Sequence, residues 1–248
     1  MPVNVKEDTP VTLREQDRVA VPGAPAPALA AQAFLQPIAA PSILGLYGFA
    51  GATFMVAANL AGWYGGATSP HFLFPFAAFF GGLAQFMAGM WAYKARDGLA
   101  TAMHGMWGSF WMAYGLLNLL FAIGSITPPA PNGLFVELGY WFIVLAVTTW
   151  IGTWVATANS GALTGVLGFL AAGSTAMVIA CLIGSGAWAT LAGWLFIISA
   201  AIAWYTATAL MAEGGFGRAV LPVFKPARAA QSPGYSLGIG EPGIRHGQ

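Results

Sequence analysis

The sequence predicts an all-α membrane protein, built as a bundle of six transmembrane helices. Of its 248 residues, 58% are hydrophobic and only 7% are charged, whereas a soluble globular domain carries roughly a quarter charged residues. Between Val19 and Ala212 the apolar runs reach the roughly 20 residues that a helix needs to cross a bilayer. A membrane β-barrel would instead show segments of about ten residues with alternating polarity. The only charged residues in this stretch are Lys94, Arg96, Asp97 and Glu137.

Short clusters of glycine, proline and asparagine separate the apolar runs, and these residues favour turns. Because each connection is short, successive helices are expected to run antiparallel. The predicted spans are residues 43–63, 71–93, 101–123, 136–157, 162–184 and 187–211.

The chain divides into a membrane domain, residues 41–223, and two tails. Residues 1–40 and 224–248 are rich in proline and polar residues, a composition that does not form a packed core. Both are predicted to be disordered cytoplasmic tails. The first 33 residues hold no apolar stretch of the length found in a signal peptide, so the first span is expected to direct insertion.

The basic residues predict the orientation of the bundle. With both termini in the cytoplasm, all nine Lys and Arg residues lie on the cytoplasmic side, in agreement with the positive-inside rule. Aromatic pairs such as Trp63–Tyr64 and Tyr140–Trp141 stand near predicted helix ends, where they anchor helices at the headgroups. The expected location is therefore the inner (plasma) membrane, with several passes through the bilayer.

Several classes of function find no support in the sequence. It contains no paired intramembrane carboxylates, no nucleophile motif, no phosphate-binding loop and no Cys/His metal motif. The single cysteine, Cys181, has no partner for a disulfide within the chain. No enzymatic activity, cofactor or metal is expected. The net charge is +1 and the basic residues are not interleaved with aromatic ones, so nucleic acid is not an expected partner.

Polar side chains at membrane depth are the candidates for function, because such a group either bonds to a neighbouring helix or lines a pathway. Gln85, in the middle of the second span, and Thr53, in the first, admit both interpretations. A threonine hydroxyl can also bond to its own helix backbone. His104, in the first turns of the third span, titrates near neutral pH when unperturbed. It is interpreted either as an anion or proton site or as a packed residue.

Four motifs follow one another along the membrane domain. Residues 44–49 read LGLYGF, 81–89 read GGLAQFMAG, 107–111 read WGSFW and 216–222 read FGRAVLP. They resemble the signatures of the acetate uptake transporters, also called succinate-acetate permeases: N-P-x-P-L-G-L-x-G-F, a second-helix pattern, Y-G-S-F-W and F-G-R-x-x-L-P. The resemblance covers nearly the whole membrane part, from about residue 41 to 222.

The resemblance implies a function and a site. Family members form hexamers with a pore in each protomer, and they move acetate or succinate by proton-linked uptake or channel-like permeation. Their aromatic, apolar constriction corresponds to Phe49, to Trp107, where the family usually has Tyr, and to Leu167. Gln85 and Thr53 match polar positions of the pathway. The partners implied are a small carboxylate, protons, the lipid bilayer and further copies of the chain.

Other features point to a less polar pore. Ala92 and Met106 stand where some members carry Glu and Ser, which predicts weaker anion binding or a more neutral substrate. The alternative function is a passive pore for a neutral molecule such as ammonia or undissociated acid. Ammonia channels tend to stack histidines, whereas His71 and His104 are predicted on opposite sides of the membrane. A sensor or assembly subunit is a further alternative, for which neither tail offers an effector domain.

Overall fold

A computed structural model describes residues 38–66, 68–129 and 133–226. In these residues the chain forms six long helices and no strand, which confirms the predicted fold class. Five helices lie close to their predicted spans, and the last one continues to Phe216, beyond the predicted end at residue 211. The helices are α1 Ser42–Leu60, α2 Ser69–Ala95, α3 Gly98–Ala122, α4 Val136–Ala156, α5 Gly161–Ile183 and α6 Gly186–Phe216.

The predicted tails, residues 1–40 and 224–248, lie outside the described residues except for 38–40 and 224–226. The segment that follows α6 folds back onto the bundle. The carbonyl oxygens of Val223 and Phe224 accept hydrogen bonds from the amides of Ala162 and Gly161, at 3.2 and 2.9 Å. These bonds satisfy amides at the start of α5, which have no acceptor within the helix.

Five of the six helices are long and apolar enough to cross a membrane. The exception is α3, which has 25 residues but includes His104, Asn118 and several glycines. Its contacts place it inside the bundle nevertheless. The His104 ring lies against Gly45 of α1, and Trp107 contacts Phe49. The helix that composition describes least well therefore carries two of the site residues predicted from sequence, His104 and Trp107.

The helices form a closed ring, in which each packs antiparallel to the next and α6 returns to α1. Consequently α1, α3 and α5 begin at the same end of the bundle. We call this the basic end, because every basic residue in the described part of the chain lies there: Lys94, Arg96, Arg218 and Lys225. The backbones of α3 and α4 lie farther apart than those of the other neighbours, and aromatic side chains such as Phe110 and Phe142 meet between them.

Glycines allow the backbones of neighbouring helices to approach closely. A Cβ on Gly48 of α1 would lie 2.5 Å from the carbonyl oxygen of Phe80, and one on Gly89 of α2 would lie 2.6 Å from the amide nitrogen of Gly105. Backbone atoms cannot rotate out of the way as a side chain can. Any side chain at these two positions would therefore push the helices apart.

The second helix changes its winding along its length. It is π-helical over Ala77–Ala84 and returns to α-helix at Gln85. Pro75 lies just before the wide turns and lacks the amide that an α-helix would use, while Gly81 and Gly82 tolerate unusual backbone conformations. Stretches of π-helix are rare and are often found at functional sites. The sequence predicts the span but not this change of winding. The π-helical segment ends directly before the polar residue Gln85.

Candidate permeation site

A cavity of about 40 Å³ lies between α1, α2, α3 and α5, close to the basic end. One water needs roughly 10 to 15 Å³ of such volume, so the cavity has room for a few waters or for a ligand of similar size. Most of its lining is leucine, methionine and aromatic side chains. The polar residues of the lining are Ser42, Gln85, Asp97 and His104.

The three side chains predicted to form a constriction, Phe49, Trp107 and Leu167, all line this cavity and are buried. Phe49 and Trp107 meet edge to face, with ring centroids 6.3 Å apart and planes inclined by 70°. Each of the three residues lies about two turns into its helix. The structure thus brings them together in the deeper part of the cavity, where aromatic and leucine side chains come from three different helices.

The indole of Trp107 is attached to α4. Its Nε1–H donates a hydrogen bond to Thr149 Oγ1 at 3.0 Å, and the Thr149 hydroxyl donates to the carbonyl oxygen of Leu145 at 2.6 Å. Because α4 does not line the cavity, the indole N–H points away from it. Thr149 is not predicted from the sequence, since a threonine within a helix commonly bonds to its own backbone and gives no signal of a second partner.

Gln85 lines the cavity and is only 2% exposed. Its Oε1 atom has no hydrogen-bond partner among the described residues. Leaving a buried amide oxygen without a partner costs about 1–3 kcal/mol. A water or a ligand in the cavity would supply the missing donor. This arrangement fits the interpretation of Gln85 as a pathway residue better than the interpretation as a bond between helices.

His104 lines the cavity nearer to the basic end, and it is also buried. Its Nε2 atom lies 3.3 Å from the hydroxyl oxygen of Ser42. Its Nδ1 atom finds no hydrogen-bond partner in the part of the chain that the structure describes. One imidazole nitrogen is therefore left for a proton, a water or a ligand in the cavity.

Thr53 is the one predicted pathway residue that does not line this cavity. It is buried one turn beyond Phe49 on α1, and its hydroxyl has no partner among the described residues. On α3, Trp111 follows Trp107 by one turn, and its indole N–H is likewise buried without a partner there. Two unpaired polar groups thus follow the constriction on the side away from the basic end. Trp111 is not among the site residues predicted from the sequence.

Among the described residues, the lining of the cavity contains no lysine or arginine, and its ionisable residues are Asp97 and His104. The carboxylate of Asp97 caps α3 by accepting a bond from the Ala100 amide at 2.9 Å. Ser160 caps α5 in the same way, at 3.1 Å from the Leu163 amide. The partial positive charges at these two helix starts are therefore already engaged. No group of three or more His, Cys, Asp or Glu side chains in the described chain is placed to hold a metal.

Comparison with known proteins agrees with this architecture. Residues 22–225 match the GPR1/FUN34/yaaH family. The chain is 29% identical over 189 residues to the succinate-acetate/proton symporter SatP of Escherichia coli K12, which covers 75% of this chain and 95% of that protein. It is 32% identical over 171 residues to the ammonia transport outward protein 2 of Saccharomyces cerevisiae, covering 68% of this chain and 60% of the yeast protein.

A solved structure of the bacterial acetate channel SatP superposes with a TM-score of 0.69 at 26% identity, covering 75% of this chain and 99% of the other. The resemblance to acetate uptake transporters that the four motifs predict is confirmed by these matches. The agreement of the family match, the relatives and the fold leads to one conclusion: the chain belongs to the GPR1/FUN34/yaaH family of multi-pass membrane proteins.

Proposed function

We propose that this protein transports small monocarboxylates, with acetate as the leading substrate, across the membrane. The observation that carries the proposal is the cavity in which Phe49, Trp107 and Leu167 lie beside the unpaired polar atoms of Gln85 and His104. The names of two relatives, a succinate-acetate/proton symporter and an acetate channel, support the same class of substrate. Succinate is a second candidate substrate. It fits a cavity of this size less well than acetate because it is longer.

The chemistry of the cavity suits a short carboxylic acid. A methyl group loses contact with water against aromatic and leucine walls, which is favourable. A carboxylic acid group offers one donor and one acceptor, and a primary amide offers both in return. The side chain of Gln85 therefore complements the uncharged acid. His104 is placed to accept or return a proton, or to bind the carboxyl group, nearer to the basic end.

The described residues place no Lys or Arg side chain in the lining, which favours passage of the uncharged acid. Burying a carboxylate without a charged partner costs several kcal/mol or more, whereas the neutral acid crosses an apolar constriction readily. Transport of the neutral acid moves one proton with each substrate. Such movement is proton-linked whether the protein operates as a symporter or as a channel.

A second candidate is a passive pore for ammonia, which the yeast relative named as an ammonia transport protein favours. Ammonia is also uncharged, and the apolar lining would accept it. Of the two histidines in the described residues, however, His104 lines the cavity and His71 does not. The Gln85 amide oxygen, which has no partner among the described residues, would accept a bond from ammonia as well as from an uncharged carboxylic acid. The names of the bacterial symporter and the bacterial channel favour the acid.

For the cellular setting we propose the inner (plasma) membrane, with both termini in the cytoplasm. The four basic residues at the basic end support this orientation. We also propose that the protein assembles as a hexamer with one pore in each protomer, on the strength of the family resemblance. Large apolar side chains on the outer faces of the helices, among them Trp154 and Phe79, are available to lipid and to further copies of the chain.

Reconstitution into proteoliposomes tests the proposal. We expect uptake of labelled acetate that exceeds the uptake into protein-free vesicles, and that rises when the outside is made more acidic than the inside. Protein-free vesicles are an essential control, since acetic acid also crosses lipid unaided. Competition with unlabelled lactate, succinate and ammonium ranks the substrates. Uptake no faster than in protein-free vesicles at any pH would refute carboxylate transport, and protein-dependent movement of ammonia alone would favour the alternative.

A further inference from the structure

The backbones of α3 and α4 lie farther apart than those of the other neighbouring helices, and the buried hydrogen bond from Trp107 to Thr149 joins the two helices. Thr149 is fully buried. Its hydroxyl hydrogen is committed to the carbonyl oxygen of Leu145 at 2.6 Å, so a lone pair of the hydroxyl faces the indole. The result is a short chain of bonds in one direction, from the indole N–H through the hydroxyl to the helix backbone.

Trp107 combines one directional contact, the hydrogen bond to Thr149, with contacts to aromatic rings. Phe49 and Phe110 meet the indole edge to face, with ring centroids 6.3 and 5.4 Å away. Rotation about the bond between Cβ and the ring would turn the N–H away from Thr149, and this torsion is broad in aromatic residues. Thr149 supplies the acceptor that favours the observed orientation.

We infer that Thr149 is a positioning residue that sets the selectivity of the constriction, by holding the indole N–H of Trp107 away from the pathway. This inference rests on the proposed transport function. Indole nitrogen is a donor only, and a donor turned toward the cavity would bond to an acceptor there, such as the carboxyl oxygen of a substrate. While Thr149 holds it, Trp107 presents ring carbons to the cavity. The constriction then favours a small acid with a methyl group over longer or more polar acids.

Three substitutions on α4 test this inference in proteoliposomes. Thr149→Val keeps the shape and removes the acceptor, Thr149→Ser keeps the acceptor, and Thr149→Cys replaces it with a weaker one. The matched control is Thr148→Val on the neighbouring residue, whose hydroxyl donates to the Val144 carbonyl of its own helix. We expect the ratio of acetate to succinate uptake to fall several-fold in Thr149→Val, to fall less in Thr149→Cys, and to stay at the wild-type value in Thr149→Ser and Thr148→Val.

A second readout needs no transport. In protein labelled with ¹⁵N-tryptophan, the indole signal of Trp107 is identified by its loss in Trp107→Phe, and its exchange with deuterium is followed. We expect exchange to be several-fold faster in Thr149→Val and unchanged in Thr149→Ser and Thr148→Val.

The two readouts separate the possible failures. If exchange accelerates in Thr149→Val while the uptake ratio stays at the wild-type value, Thr149 positions the ring without setting selectivity and the inference is overturned. If exchange is unchanged, Thr149 does not hold the indole, and the inference is overturned at its first step. If the wild-type protein shows no carboxylate uptake, the proposed function fails, and a selectivity role for Thr149 fails with it. Thr149→Cys keeps the experiment informative should Thr149→Val fold poorly.

Discussion

The ring of His104 lies flat against the backbone of Gly45, with no space between the two helices for a side chain. A Cβ placed on Gly45 would lie 2.5 to 2.6 Å from three atoms of the imidazole, Cε1, Nδ1 and Nε2. The face of the ring is therefore covered by glycine, while Nδ1 is left without a partner among the described residues. Gly45 belongs to the first of the four motifs. The contact explains why this position holds a glycine, since any larger side chain would collide with the His104 ring.

Gly45→Ala is expected to displace the imidazole into the cavity and to slow acetate uptake several-fold. The added methyl group overlaps three ring atoms, and the ring is part of the cavity lining. Gly105→Ala is the matched control, because a Cβ there would meet only the end of the Met90 side chain, at 3.9 Å. Uptake by both variants in proteoliposomes is the measurement. If Gly45→Ala took up acetate at the same rate as the wild-type protein, His104 could move without consequence for transport.

Gln85→Leu is expected to abolish or strongly reduce acetate uptake while leaving the folded state as stable as before or more so. The substitution removes a buried amide oxygen that has no partner among the described residues, and removing such a group is neutral or stabilising. Uptake is measured together with the midpoint of thermal unfolding in detergent. The reverse result, a lower midpoint with normal uptake, would identify Gln85 as a bond between helices.

Widening the constriction is expected to raise succinate uptake relative to acetate uptake. Truncating a buried Phe or Trp to Ala costs about 3–5 kcal/mol of stability, so the milder variants Phe49→Leu and Trp107→Tyr are measured beside Phe49→Ala and Trp107→Ala. The readout is the ratio of the two uptake rates in protein that remains monodisperse in detergent. An unchanged ratio in both alanine variants would mean that these side chains do not form the gate.

Gly48→Ala is expected to destabilise the bundle, because the new methyl group would lie 2.5 Å from the Phe80 carbonyl oxygen and force α1 away from α2. Overpacking of this kind costs about 1–3 kcal/mol, which should lower the midpoint of thermal unfolding by several degrees. Gly165→Ala provides the comparison, since its nearest contact would be at 3.5 Å, with the side chain of Ile202. Equal midpoints for the two variants would contradict the close approach of α1 to the π-helical segment.

The sequence predicts the fold well because the bilayer imposes a simple rule on helix length and polarity. All six helices follow from apolar runs and turn residues, including α3, whose polar residues weaken its signal. The π-helical segment Ala77–Ala84 does not follow from the sequence, since composition does not specify the hydrogen-bond spacing of a helix. Pro75 and the two glycines of the segment mark the place without defining the winding.

The site is predicted unevenly. The motifs identify Phe49, Trp107 and Gln85, but their convergence depends on how each helix is rotated about its axis, which the sequence does not give. Thr149 was missed because it lies outside the motifs on a helix that does not line the cavity. Trp111 was missed because a tryptophan in a membrane protein is commonly an anchor at the headgroups, whereas this one is buried with an unpaired N–H.

Transport of an uncharged carboxylic acid, through a cavity to which the described residues contribute no Lys or Arg, is tested most directly by uptake of labelled acetate under an imposed membrane potential. Proteoliposomes holding the wild-type protein are clamped with potassium and valinomycin at zero and at about 100 mV, a potential that is worth about 2.3 kcal/mol for each charge that crosses. We predict uptake that exceeds that of protein-free vesicles and is the same at both potentials. Uptake that follows the potential, or that does not exceed uptake by protein-free vesicles, would contradict the account.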